Sequence, residues 1–185
     1  MTVYGPCADN LPLILNDVLD RIKQLSSTQV ANGHPKLYEH LIGRVKANDS
    51  MTEKCQRKGY PATPESALRK CRDAVGIRVV CNFIDDVYRC IDLLRDADWC
   101  TIVKEKDYIA NAKPNGYRSY HLILDVVTPY QDIDGQTPGH YFVEIQLRTI
   151  AMDSWASLEH EMKYKHDIDT VSYTHLRAHE TCADL

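Results

Sequence analysis

The most informative stretch for the fold is HYFVEIQLRT, residues 140–149, in which apolar and polar side chains alternate. Successive side chains of a strand point to opposite faces of a sheet, so this alternation predicts a β-strand. The apolar face, expected to point into the core, consists of Tyr141, Val143, Ile145 and Leu147. The other face carries Phe142, Glu144, Gln146 and Arg148. A solvated surface would explain this polar face if the strand stood alone.

A second predicted strand, residues 118–127, makes a solvated surface the weaker explanation. Its apolar face consists of Tyr120, Leu122, Leu124 and Val126. Polar side chains occupy the opposite positions, namely Tyr117, Ser119 and His121. Two neighbouring strands that each present polar side chains on one face predict the floor of a cleft.

The spacing of apolar residues predicts the remaining elements. We expect an amphipathic helix over residues 10–25 and a loop over residues 28–35. Residues 50–53, Ser-Met-Thr-Glu, have the form of a capping box that begins a short basic helix. Further along we expect a strand over 75–83, a helix to about residue 97 capped by Asp85 and Asp86, a strand over 99–103, an exposed loop over 104–116, and a helix over 150–165 that buries Met152, Trp155, Leu158 and Met162. This order predicts an α+β fold in which helices pack on a mixed, mostly antiparallel sheet.

The composition excludes several classes of protein. The 185 residues include 22 Lys and Arg against 26 Asp and Glu, which gives a formal net charge of -4. Generic nucleic-acid coats and polybasic membrane binders depend on summed positive charge, so both are disfavoured. No apolar run approaches the roughly 20 residues that span a bilayer, and the N-terminus does not have the pattern of a signal peptide. We therefore expect a cytoplasmic protein without a membrane partner.

The cysteines and the end of the chain give little functional information. The seven cysteines are odd in number and include no C-x-x-C pair, which predicts reduced thiols that pack as small apolar side chains. Residues 1–170 are expected to form one domain, whereas residues 171–185 break its pattern and are interpreted as foreign to it. His175, His179 and Cys182 are spaced loosely like metal ligands, but we assign no zinc site to them.

Two acidic residues and one arginine are candidates for chemistry at the sheet. Asp73 precedes the predicted strand at residue 75, where an acid is often only a turn residue. Together with Glu144 it could instead hold Mg²⁺ through oxygen ligands. Arg78 lies inside an apolar strand, so it is either a salt-bridge residue or a ligand contact.

Basic residues cluster in two places despite the acidic total. From residue 36 to residue 72 there are nine Lys or Arg and four acids. We interpret this segment as a wall that attracts phosphate, while Arg57, Arg69 and Lys70 are assigned to a solvated helix face. The second cluster surrounds the turn at Asn115-Gly116 and contains Lys104, Lys106, Lys113 and Arg118 beside Tyr117. Cations beside an aromatic ring suit a nucleotide, whose base can stack while its phosphates are held by charge.

The usual nucleotide and hydrolase motifs are missing from the sequence. There is no Walker A motif, no G-x-G-x-x-G and no G-x-S-x-G, so neither a P-loop, nor a Rossmann site, nor a nucleophile elbow is supported. The residues alone therefore indicate a metal-dependent enzyme that acts on phosphorylated nucleotides.

Six collinear motifs resemble the synthetase domain of the RelA/SpoT family, most closely its single-domain small alarmone synthetases. The motifs are GRVK at 43–46 with Ser50 and Lys54, DAVGIRVV at 73–80, KDYI at 106–109, KPNGYRSYH at 113–121, VEIQLRT at 143–149, and MDSWA at 152–156 leading to Glu159 and His160. The resemblance covers roughly residues 10–168. It implies a nucleotidyltransferase-like fold, with residues 1–170 as a synthetase domain.

The resemblance also implies an activity, that of a GTP diphosphokinase. Such enzymes transfer the β,γ-pyrophosphate of ATP to the 3′-hydroxyl of GDP or GTP, giving ppGpp or pppGpp and AMP for stringent-response signalling. By resemblance, Asp73 and Glu144 hold Mg²⁺, and Glu144 takes the proton of the attacking hydroxyl. ATP would be bound by Arg44 and Arg78, which sandwich the adenine, and by Lys46 and Lys54. The guanine nucleotide would be bound by Tyr117, which stacks on the base, and by Lys106, Lys113, Asn115, His121, Gln146 and Arg148.

Two alternatives stay open at this point. The same transfer could use another acceptor, such as an adenine nucleotide or a tRNA 3′ end, because Tyr117 would stack on any purine. The chain could also be a non-catalytic module that binds a nucleotide or RNA, although such a module has no need for both Asp73 and Glu144. Intact relatives continue into helices that help to build a homotetramer, so the resemblance further implies a homo-oligomer.

Overall fold

A five-stranded mixed sheet forms the centre of the computed structural model, which describes residues 2–165, with side chains described through residue 161. The strands are β1 (His40–Val45), β2 (Val75–Cys81), β3 (Cys100–Asp107), β4 (Tyr120–Thr128) and β5 (Gly139–Thr149). Their order in the sheet is β1-β2-β5-β4-β3, and only β2 and β5 pair in parallel. The helices are α1 (Asn10–Ala31), α2 (Asn48–Arg57), α3 (Ile84–Arg95) and α4 (Ile150–Lys165), with a π-helical turn at Ser66–Cys71. The predicted α+β class is confirmed.

The core lies between the apolar face of the sheet and the helices. Every second residue of β5 from Tyr141 to Leu147 is buried, as the alternation predicts. Helix α1 contributes a buried stripe of Leu11, Ile14, Val18 and Ile22. It crosses β1 closely at Gly43, where a Cβ atom would lie 2.6 Å from Leu15 Cδ1. Glycine is therefore required at position 43 for α1 to pack on the sheet.

Several predicted boundaries are wrong, for local reasons. Helix α1 continues to Ala31 instead of giving way to a loop at residue 28. Within this extension the Thr28 hydroxyl donates to the Gln24 carbonyl, 2.9 Å away, and so remains satisfied inside the helix. Strand β3 continues to Asp107 through a bulge between Ile102 and Lys104, so residues 104–107 are not loop. Strand β2 ends at Cys81, and Phe83 is 71% exposed.

The capping box at residues 50–53 is also wrong. Helix α2 begins at Asn48, so Ser50 lies inside its first turn. The Asn48 carboxamide oxygen accepts the Val3 backbone N–H at 2.7 Å and ties the N-terminal segment to α2. In contrast, Asp86 does satisfy the start of α3, since its carboxylate accepts the Phe83 N–H at 3.3 Å.

Helix α4 follows β5 directly, and fewer of its apolar side chains are buried than the sequence predicts. Thr149 Oγ1 accepts the Met152 N–H at 3.3 Å and so caps the first turn. Met152 and Trp155 are buried, whereas Leu158 is 50% exposed, against prediction. The predictions for the Met162 side chain, for the tail at residues 171–185 and for its histidines and cysteine lie outside the described residues.

One buried carboxylate organises the connection between β4 and β5. Asp132 accepts the backbone N–H groups of Asp134 and Gln136 at 3.0 Å each and that of His140 at 3.2 Å. The Arg69 guanidinium donates to it from the π-helical turn, also at 3.0 Å. Burial by itself would raise the pKa of Asp132, but these four hydrogen bonds outweigh it and lower the pKa below its ordinary value of 3.8.

We expect Asp132→Asn to reduce the free energy of unfolding by about 2 kcal/mol at pH 7, because bonds to a charged acceptor are lost. A lowered pKa stabilises the fold above the unfolded value of 3.8, and this stabilisation disappears as the pH falls through the lower folded value. The difference between wild type and variant should therefore shrink below about pH 4 in urea titrations. Asp134→Asn, at a carboxylate 57% exposed, is the control and should cost less than about 1 kcal/mol. A pH-independent difference would contradict this account.

Candidate functional site

Two adjoining cavities open on the polar face of the sheet. The first, of about 460 Å³, lies over β1, β2 and β5 and is lined by Ile42, Gly43, Arg44, Lys46, Lys54, Asp73, Gly76, Ile77, Arg78, Glu144 and Gln146. The second, of about 520 Å³, is lined by Lys54, Lys58, Tyr60, Arg69, Lys70, Cys71, Arg72, Asp73, Lys104, Lys106, Tyr108, Lys113, His121, Ile123 and Glu144. Both cavities include Lys54, Asp73 and Glu144, so the two predicted acidic residues stand at their common boundary.

The parallel pairing of β2 and β5 brings these acidic residues to one place. Glu144 is paired with Gly76 in the register, and Asp73 precedes β2 by two residues. Glu144 therefore lies beside the start of β2 on the polar face of β5. The cleft floor predicted from the two alternating strands is present in the structure.

Asp73 is the anionic centre of a cluster of cations. It is buried, and its Oδ2 atom forms ion pairs with the ammonium groups of both Lys46 and Lys54. Its Oδ1 atom is also buried but has no hydrogen-bond partner among the described residues. A buried carboxylate oxygen without a donor is costly, and a cation is the kind of ligand that would satisfy it.

Glu144 is held from two sides. Its Oε1 atom lies 3.5 Å from His121 Nδ1, and its Oε2 atom accepts the Gln146 amide at 3.0 Å. Burial alone would raise the pKa of Glu144, but the His121 bond and charge, the Gln146 bond and the Lys54 charge outweigh it and lower the pKa to about 2. The carboxylate is therefore ionised at neutral pH, as a proton acceptor or a cation ligand must be.

The first cavity is lined by two arginines, Arg44 and Arg78. The register pairs Arg44 with Gly76 and Ile42 with Arg78, which puts both arginines on one face of β1 and β2. No atom lies within 4 Å of the position that a Cβ on Gly76 would take. Arg78 forms an ion pair with Asp153 at 3.1 Å, as one of its two predicted alternatives requires. It also lines this cavity, and its role as a ligand contact stays a prediction. Two planar cations beside an open strip of backbone suit an aromatic base.

The second cavity is strongly cationic. Lys106 and Lys113, both predicted, line it together with Lys54 and Lys104. Its other cations are Lys58 and Arg72, which belong to the predicted phosphate-attracting wall, and Arg69 and Lys70, which do not. Arg69 and Lys70 are thus corrected from a solvated helix face to the wall of a cavity, since the π-helical turn directs them there. A lining with eight cations and two carboxylates suits a polyphosphate.

Three predicted binding residues are not among those that line the two cavities. Tyr117, Asn115 and Arg148 line neither of the two, although Lys113 Nζ lies 4.6 Å from the centre of the Tyr117 ring. Asn115 donates to Glu159 at 2.5 Å and accepts the Tyr117 backbone N–H at 3.2 Å. Their roles as nucleotide contacts stay predictions.

Comparison with known proteins agrees with this geometry. The family model described as the region found in RelA / SpoT proteins matches residues 43–169. The chain is 40% identical over 151 residues to GTP pyrophosphokinase YwaC of Bacillus subtilis, covering 80% of this chain and 70% of that protein. It is 41% identical over 128 residues to GTP pyrophosphokinase YjbM of the same organism, covering 69% and 57%.

Solved structures resemble the whole architecture. The crystal structure of small alarmone synthetase 1 from Bacillus subtilis, bound to its product pppGpp, superposes with a TM-score of 0.80 at 33% identity, covering 94% of this chain and 88% of that one. A GTP pyrophosphokinase family protein from Streptococcus pneumoniae also gives 0.80, at 30% identity, covering 92% and 82%. Because the family model matches more than half of this chain, the chain belongs to the RelA/SpoT family.

Proposed function

We propose that this protein is a GTP pyrophosphokinase that transfers the β,γ-diphosphate of ATP to the 3′-hydroxyl of GDP or GTP, giving ppGpp or pppGpp and AMP. The observation that carries the proposal is the pair of cation-lined cavities that share Lys54, Asp73 and Glu144. A reaction between two nucleotides needs two binding sites that adjoin at the point where the diphosphate is transferred from donor to acceptor. The relatives named above as GTP pyrophosphokinases support the choice of substrates.

The first cavity suits ATP. Arg44 and Arg78 would hold the adenine between them over Gly76, and Lys46 and Lys54 would meet the triphosphate beside Asp73. Lysine suits the phosphates because a flexible point charge can follow the diphosphate as it moves, whereas the planar guanidinium suits the base.

The second cavity suits the acceptor nucleotide. Lys106, Lys113 and His121 would face its 5′-phosphates, and Tyr117, whose ring centre lies 4.6 Å from Lys113 Nζ, would stack on guanine. The 3′-oxygen would then attack the β-phosphorus of ATP. The bond from that phosphorus to the oxygen bridging to the α-phosphate breaks, and AMP leaves.

The acidic pair would hold Mg²⁺ and accept the proton. Within residues 2–165 no three His, Cys, Asp or Glu side chains form a cluster that could hold a metal ion without other ligands. Mg²⁺ commonly binds one or two carboxylates together with substrate phosphates, and the unpartnered Oδ1 atom of Asp73 fits that donor set. The ion would neutralise charge on the triphosphate. Ionised Glu144 would take the proton of the 3′-hydroxyl.

An acceptor competition tests the proposal and its nearest alternative. Purified protein, Mg²⁺ and ATP labelled at the γ-phosphate are incubated with GDP, GTP, ADP or tRNA, singly and mixed, and the labelled products are separated by thin-layer chromatography. We expect label in guanosine species with AMP formed in step. Transfer to ADP or tRNA in preference to guanine nucleotides would show that the acceptor is not a guanine nucleotide. Binding of both nucleotides without transfer would favour the non-catalytic module.

The open strip at Gly76 gives a steric test of the ATP site. Gly76→Val should raise the KM for ATP at least about tenfold, or ~1.4 kcal/mol of binding, because the new side chain enters the first cavity. Its stability should hardly change, since valine favours strands. Gly43→Ala is the matched contrast and should instead lower stability, because its Cβ meets Leu15. An unchanged KM for ATP in Gly76→Val would contradict the placement of ATP in the first cavity.

Location and assembly follow from the same proposal. The nucleotide substrates suit a cytoplasmic enzyme. No helix within the described residues is long and apolar enough to cross a membrane. The homo-oligomer implied by the resemblance stays a prediction, which sedimentation of the full chain would test.

A further inference from the structure

Five side chains on the polar side of β4 and β5 form a closed ring of contacts. Arg148 Nη2 lies 2.6 Å from the Tyr117 hydroxyl and 3.0 Å from Gln146 Oε1. The Tyr117 hydroxyl lies 2.8 Å from His121 Nε2. His121 Nδ1 and Gln146 Nε2 then reach the two oxygens of Glu144, at 3.5 and 3.0 Å. Two chains of contacts therefore lead from the Arg148 guanidinium to the Glu144 carboxylate. We call them arms: one passes through Gln146, and the other passes through Tyr117 and His121.

The chemistry of arginine sets the direction of both arms. A guanidinium only donates, so the Gln146 oxygen must face Arg148 and its amide N–H must face Glu144. The Tyr117 oxygen likewise accepts from Arg148, and when His121 is neutral we assign the hydroxyl proton to a bond with His121 Nε2, so that Nδ1 can donate to Glu144. The imidazole proton then sits on Nδ1, the nitrogen that faces Glu144. Both arms end with a donor aimed at a Glu144 oxygen.

Arg148 itself is fixed firmly and away from the cavities. It is buried, donates from Nε to Ser119 Oγ at 3.2 Å and from Nη1 to Asp153 Oδ1 at 3.0 Å, and lines neither cavity. Asp153 Oδ1 also accepts Arg78, 3.1 Å away, which lines the first cavity. The guanidinium of Arg148 thus connects the proposed ATP site with the Glu144 arms.

We propose that Arg148 is a positioning residue, which orients Glu144 through Gln146 on one side and through Tyr117 and His121 on the other. The inference rests on the proposed function and replaces the predicted role of Arg148 as a guanine-nucleotide contact. By fixing Tyr117 and Glu144 together, Arg148 sets the place of the acceptor base relative to the group that takes its proton. Lysine cannot do this, because one ammonium cannot fork to Gln146, Tyr117, Ser119 and Asp153.

Steady-state kinetics and histidine NMR test the inference. In Arg148→Met we expect kcat to fall roughly 10- to 100-fold, as for other residues that orient reacting groups, with the KM for ATP changed less than about threefold. Arg148→Lys keeps a cation for Asp153, guards against a failure to fold, and should lose kcat by a similar factor. Arg57→Met, at an exposed arginine of α2, is the control and should keep the wild-type kcat.

The NMR measurement needs no substrate. Protein labelled with ¹⁵N-histidine, with the His121 signal assigned by its loss in His121→Asn, should show the Nδ1–H form at pH 9 in the wild type. In Arg148→Lys the Nε2–H form should appear. A wild-type kcat in either variant, or an unchanged His121 form, overturns the inference. If the wild type transfers no diphosphate, the proposed function fails, and the NMR result still decides the role of Arg148.

Discussion

Glu144→Gln is expected to lower the rate of diphosphate transfer at least about 1,000-fold while leaving the protein folded. Glutamine has nearly the shape of glutamate but carries no charge and cannot accept the proton of the 3′-hydroxyl. Removal of a general base usually costs about 10²- to 10⁴-fold, and loss of a proposed Mg²⁺ ligand adds to that cost. The side chain is ionised in the wild type, since hydrogen bonds and neighbouring charge lower its pKa to about 2.

Single-turnover assays with saturating ATP and GDP measure this loss directly, and far-UV circular dichroism with urea titration checks the fold. The control is Glu53→Gln, at an exposed glutamate of α2, which should keep the wild-type rate. A folded Glu144→Gln protein with the wild-type rate would contradict both proposed roles of Glu144, as a proton acceptor and as a Mg²⁺ ligand.

Asp73→Asn is expected to lose both activity and stability. Activity should fall at least about 100-fold, because the unpartnered Oδ1 atom is proposed to meet the metal ion. The free energy of unfolding should fall by about 2 kcal/mol, since Lys46 and Lys54 are left half-buried without their shared anion. Urea titration and the diphosphate transfer assay measure the two losses separately.

A double variant separates these two effects. Asp73→Asn combined with Lys46→Met removes one of the abandoned charges, so it should recover part of the stability lost in Asp73→Asn alone. Its activity should stay as low as that of the single variant. Recovery of transfer together with stability would mean that Asp73 acts only as a structural partner of the lysines.

The sheet could be predicted where burial gives a sequence a period of two. β5 shows strict alternation, so the buried residues from Tyr141 to Leu147 and the polar face with Glu144 are both confirmed. β1 was missed because Gly43 and Arg44 interrupt any apolar alternation in HLIGRV, residues 40–45. Both residues of the interruption have a place in the structure, since Gly43 admits α1 and Arg44 lines the first cavity.

The carboxylates at the site could be predicted, but much of its wall could not. Asp73 and Glu144 lie close together because the start of β2 pairs in parallel with the middle of β5, and a sequence pattern does not give this register. Lys70 reaches the second cavity from a π-helical turn, and Arg72 reaches it in a left-handed conformation with φ of 61°. Neither conformation has a local sequence signal of its own. The buried ring around Arg148 joins residues 31 positions apart, and its contacts become visible only in three dimensions.

We propose that two nucleotides meet at Asp73 and Glu144 and that an intact diphosphate passes from one to the other. The most direct test is to quantify every nucleotide product by ion-exchange chromatography in one time course with ATP, GDP and Mg²⁺. We expect equal molar amounts of AMP and a guanosine bearing a 3′-diphosphate at every time point, with neither ADP nor inorganic phosphate formed in step. Formation of ADP or phosphate in place of AMP, or no guanosine product from folded protein, would contradict it.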